Sequence, residues 1–107
     1  LPFEYPEIVK AQALIESGNF KSEVFLHNLN PYGMRLPLQR ITTAKGSNLN
    51  HAVYESVEQA TLDRLLFETK YLHGLSREQY FQYLDRVYAT GDNYSKTLKQ
   101  IIKKNKL

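Results

Sequence analysis

The sequence predicts an α+β fold, predominantly helical, with an N-terminal helix, one β-hairpin and then a three-helix C-terminal array. Three observations carry this. Apolar residues recur at helical spacing in four stretches, and between the first and second of them a segment alternates about a turn tetrad, Asn30-Pro31-Tyr32-Gly33. The chain has 107 residues, 42% of them hydrophobic and 23% charged, which suffices for one core but not for two. A single domain spanning 1–107 is therefore expected.

The first helix is expected over Pro6–Ser17: Pro6 suits a first-turn position, Glu7 favours the positive end of the helix dipole, and Ile8, Ala11, Leu14 and Ile15 share a face. Gly18 ends it. Val24, Phe25 and Leu26 favour a pleated surface, so Ser22–Leu29 reads as the first strand and Met34–Ile41 as its partner, with Pro37 marking an edge or a bulge. Thr42–Asn50 reads as a loop. A helix is expected from about His51 to Leu72, capped by Asn50 and closed by His73-Gly74. Ser76 and Gln79 fit a capping box, with Leu75 and Tyr80 as its hydrophobic staple, so another helix starts after Ser76 and ends by Gly91. Asp92 or Asn93 caps the last helix, whose stripe of Tyr94, Leu98, Ile101 and Ile102 opposes Lys96, Lys99 and Lys103.

The chain contains no cysteine, which excludes disulfides, thiolate zinc sites and cysteine nucleophiles. No run approaches the roughly 20 apolar residues of a membrane span, and Leu1–Pro6 has no charged segment leading into an apolar one, so a soluble, cytoplasmic protein without a membrane partner is expected. The chain opens on Leu1, as an excised domain or a processed product would. No H-x-x-x-H or H-E-x-x-H spacing occurs, and Lys45-Gly46-Ser47 lacks the earlier glycine of a phosphate loop, so neither metal nor cofactor is expected.

Net charge is +3, gathered in two places: Lys21, Arg35, Arg40 and Lys45 against Glu23, and the C-terminal lysines against Asp92. The preferred expectation is a nucleic-acid-binding accessory domain that meets phosphates through Lys21, Arg35, Arg40, Lys45, Lys96, Lys99 and Lys103. The first alternative is a metal-independent endoribonuclease, with His27 or His51 as acid and base and Arg35 and Arg40 on the phosphate. The bland reading of each histidine competes with it: a surface position for His27, a helix start for His51, a helix end for His73. The second alternative is a protein-interaction module built on Tyr80, Tyr83 and Tyr88 of a helix too aromatic to bury every ring on one face.

Overall fold

Pro6 opens the first helix, α1 (Pro6–Glu16), where its missing N–H costs nothing, and Ser17 and Gly18 close it, Gly18 at a φ of +57°. The computed structural model describes residues 2–88 and 93–107. The remaining elements are α2 (Glu23–Asn28), β1 (Gly46–Asn48), β2 (His51–Val53), α3 (Val57–Tyr71), α4 (Arg77–Tyr88) and α5 (Tyr94–Asn105). The fold is predominantly helical α+β, with five helices and one two-stranded antiparallel hairpin among the described residues.

The hairpin is not where the sequence places it. Ser22–Leu29 holds α2, because the Ser22 hydroxyl accepts from the Phe25 N–H at 3.1 Å, Glu23 sits at the positive dipole end and Leu29 closes the turn in a left-handed conformation. A short cap outweighs three β-favouring side chains. Met34–Ile41 forms no strand and bends at residues 38–40, consistent with Pro37 having no N–H to donate. The true hairpin starts inside the expected loop and runs into the start of the expected helix, in the register Gly46↔Val53, Ser47↔Ala52 and Asn48↔His51. Leu49 and Asn50 form its two-residue turn, both at positive φ.

That hairpin also displaces the start of α3 from His51 to Val57, where Ser56, not Asn50, caps it by accepting from the Gln59 N–H. The capping box of α4 forms as expected: Ser76 N–H donates to Gln79 Oε1 at 2.9 Å and Gln79 N–H to Ser76 Oγ at 3.2 Å. Asn93 is the N-cap of α5 without a side-chain bond, while the expected helix end at Gly91 and the alternative cap Asp92 lie outside the described residues.

Helix α5 packs on α1 and α4, and α2 packs on β2. Ile8, Ala11, Ala60, Tyr80, Phe81, Leu84 and Leu98 fill the centre of the core. Among the described residues no helix is long and apolar enough to cross a membrane.

Candidate active site

Glu16 ends α1 with no cationic side chain in the same turn. Its carboxylate is held on two sides. The Tyr94 hydroxyl, from α5, donates to Oε1 at 3.0 Å and accepts in turn from Gln12 Nε2 at 3.1 Å. Oε2 lies against Gly33, where an added Cβ would stand 2.6 Å from it. Gly33 also has a φ of +65°, so both the backbone and the carboxylate demand glycine there. Burial pushes the Glu16 carboxyl above its usual range, opposed in part by the Tyr94 hydrogen bond and by the His51 charge.

The carboxyl borders a cleft of about 380 Å³ whose lining includes Arg35, Arg40, His51, Tyr71 and Tyr88. Three elements assemble it: the end of α1, the segment that follows α2, and the hairpin, closed on the far side by α3 and α4. Arg40 is fixed by Asp63 of α3, Nη1 to Oδ1 at 2.6 Å and Nη2 to Oδ2 at 3.3 Å. Asp63 also accepts from the Thr42 hydroxyl, the Thr43 N–H and the Tyr54 hydroxyl. Burial alone would raise the Asp63 carboxyl, but the bonds from Arg40, Tyr54 and Thr42 outweigh it and hold the group below the usual range.

A cleft holding one half-buried carboxyl, raised above its usual range, among half-exposed aromatic rings suits acid catalysis on a sugar. The chain matches the glucosaminidase family, described as mannosyl-glycoprotein endo-beta-N-acetylglucosaminidase, over residues 4–107. It belongs to that family. No curated protein and no solved structure matches it.

Membership in the glucosaminidase family overturns the expectation of a nucleic-acid-binding domain, and with it the ribonuclease and the nucleic-acid partner. The basic residues have other occupations. Arg40 is spent on Asp63, Lys45 lies 3.8 Å from Glu55, and Lys99 lies 3.5 Å from Glu78 and over the Phe81 ring. Lys21, Lys96 and Lys103 are exposed, and Arg35 stands exposed at the cleft. Of the histidines, His27 ends α2 on the surface and His73 lies in an exposed turn, whereas His51 borders the cleft. Tyr80 is fully buried, its hydroxyl bonded to Glu68 and Arg64, which removes it from any partner-facing surface. Tyr83 is half-buried against Tyr71, and Tyr88 is half-buried beside Tyr94. Among the described residues no three His, Asp or Glu side chains cluster so as to hold a metal.

Sequence reasoning brought Arg35, Arg40, His51 and Tyr88 into view and missed Glu16, Gly33 and Tyr94 as a site. One signal for Glu16 was present: an acid in the last turn of a helix faces the negative dipole end. Gly33 read as a turn glycine, and Tyr94 as part of an apolar stripe.

Proposed function

We propose that the protein hydrolyses the glycosidic bond beside an N-acetylglucosamine unit of a bacterial cell-wall glycan, with Glu16 as the general acid. The observation that supports this most is the half-buried Glu16 carboxyl, raised by desolvation, at the cleft of a chain in the glucosaminidase family. Cleavage passes through a transition state in which positive charge grows on the sugar ring and negative charge on the departing oxygen. A carboxyl held above its usual range is the better placed to deliver a proton to that oxygen. Because Oε1 accepts from Tyr94, Oε2, the oxygen against Gly33 at the cleft wall, is the one free to carry the proton. Gln12 supplies the hydrogen bond that Tyr94 accepts and so orients the hydroxyl toward Glu16.

Tyr71, Val87 and Leu36 offer apolar surface to sugar faces, and exposed Arg35 offers a cation to carboxylates on the glycan. Purified cell-wall glycan and a β-1,4-linked N-acetylglucosamine oligomer are the substrates to test, with new reducing ends as the readout. Cleavage by the wild type is expected, with a loss of about 10²–10⁴-fold in Glu16→Gln. Failure of the wild type on both glycans, or full activity in Glu16→Gln, would refute the assignment.

A further inference from the structure

We infer that His51 is a second catalytic residue of this reaction, its Nε2 taking the proton of the water that attacks the anomeric carbon. The inference rests on the glycosidase reading and adds to it a group from a different element. Glu16, as the acid, is the carboxylate among the described residues of the cleft lining, so a separate side-chain base for the attacking water would be a residue of another type. Arg35 and Arg40 carry guanidinium donors with no acceptor, and Tyr71 and Tyr88 are phenols, with the Tyr88 hydroxyl pushed up by burial. His51 is the lining residue of a type that exchanges a proton near neutral pH.

The ring is also prepared for that role. Its Nδ1 lies 2.8 Å from the Leu49 carbonyl oxygen. A carbonyl can only accept, so Nδ1 carries the hydrogen and Nε2 the lone pair. The turn that presents this carbonyl is strained, with Leu49 at a φ of 55° and Asn50 at 60°, a conformation usually left to glycine or asparagine. Buried Asn28 braces it from α2: its Nδ2 donates to the Asn48 carbonyl at 2.7 Å and to that of His51 at 3.4 Å, and its Oδ1 accepts from Asn48 Nδ2 at 3.0 Å. The hairpin therefore spends backbone strain and a buried amide on fixing one imidazole at the cleft.

In the step, the water oxygen bonds to the anomeric carbon as the bond from that carbon to the departing oxygen breaks. The departing oxygen keeps the electron pair and takes the proton from Glu16, while Nε2 takes the proton released by the water. Solvent then removes the proton from His51 and restores the one on Glu16. The base must start neutral, so protonating it removes the activity it supports. The charged and titratable groups that share the cleft lining with it are Glu16 from α1, Arg35 and Arg40 from the segment after α2, Tyr71 from α3 and Tyr88 from α4.

The test is kcat/KM against pH on the N-acetylglucosamine oligomer for the wild type, Glu16→Gln, His51→Gln and His51→Ala, the last with and without imidazole. Thermal melts establish that each variant is folded. His51→Gln is expected to lose about 10²–10⁴-fold and to lose the acid-side fall in activity, and imidazole to restore part of the activity of His51→Ala. Retention of that acid-side fall in His51→Gln, or of wild-type kcat/KM, would overturn the role of His51 while leaving Glu16 in place. An inactive wild type would overturn both.

Discussion

Glu16 occupies a position that helix electrostatics disfavours. A carboxylate in the last turn faces the negative end of the dipole at a cost of about 0.3–1 kcal/mol, and burial adds to it. A carboxyl whose folded pKa lies above its unfolded value favours the folded state below the unfolded pKa, and that contribution is lost as pH rises through the folded pKa. The group is thus a burden at neutral pH and none at pH 3, below the unfolded glutamate value of about 4.3. Glu16→Gln keeps an acceptor for the Tyr94 hydroxyl and removes the charge. It is expected to melt at a higher temperature than the wild type at pH 7, with no such gain at pH 3. A variant that melts lower at pH 7 would show that the carboxylate is not a stability burden. Of the residues legible in the sequence as chemistry, Arg35 and Arg40 are polar groups on a segment expected as a strand, and His51 stands at the expected start of a helix. Glu16 was hidden because an acid on an amphipathic helix looks like a solvated one, and Gly33 because its close neighbour is 17 positions away in sequence.

At the scale of elements, local chemistry was legible and long-range support was not. The capping box of α4 and the proline start of α1 are encoded within four residues, and both form. The hairpin has no glycine in its Leu49-Asn50 turn, so its signal is weak by composition. Its outer edge is made by distant groups: Ala52 N–H donates to the Met34 carbonyl, Tyr54 N–H to that of Asn28, and Asn30 Nδ2 to that of Ala52. The segment carrying Arg40 is anchored in the same way by fully buried Asp63, which accepts hydrogen bonds from four residues. Asp63→Ala would leave the Arg40 guanidinium, with 6% of its side chain exposed, without its counter-charge. A loss of roughly 3–5 kcal/mol is expected in urea unfolding, as for a broken buried ion pair. Because the folded Asp63 pKa is depressed, its contribution is present above the unfolded value of about 3.9 and is lost as pH falls further. The difference between Asp63→Ala and the wild type should therefore narrow on acidification through that range. A gap independent of pH would mean that Asp63 acts by shape and not by charge.

Across the whole molecule, one polar chain crosses the core and ends at the Glu16 carboxyl. Arg64 of α3, fully buried, donates from Nε and Nη2 to Gln12 Oε1 of α1 and from Nη2 to the Tyr80 hydroxyl of α4. Gln12 donates to Tyr94 of α5, and Tyr94 donates to Glu16. On the other side, Glu68 accepts from the Tyr80 hydroxyl and from the Glu4 N–H. Arg64 Nη1 makes no hydrogen bond among the described residues. Its charge is met by Glu68 Oε1 at 3.9 Å and by the Phe67 ring, 5.2 Å from the guanidinium carbon. Removing the cation alone strands the buried Glu68 charge, whereas removing both charges costs less, because breaking a buried pair is worse than replacing it. Arg64→Met is therefore expected to lose about 3–5 kcal/mol, a large share of an ordinary domain's 5–15 kcal/mol, and Arg64→Met with Glu68→Gln to recover part of that loss. The double variant still lacks the anchor of Gln12, so at a temperature where it is folded its kcat should fall more than its KM rises. Additive stability losses in the double variant would show that the two charges do not compensate each other. Unchanged kcat would show that the chain from Arg64 stops short of Glu16.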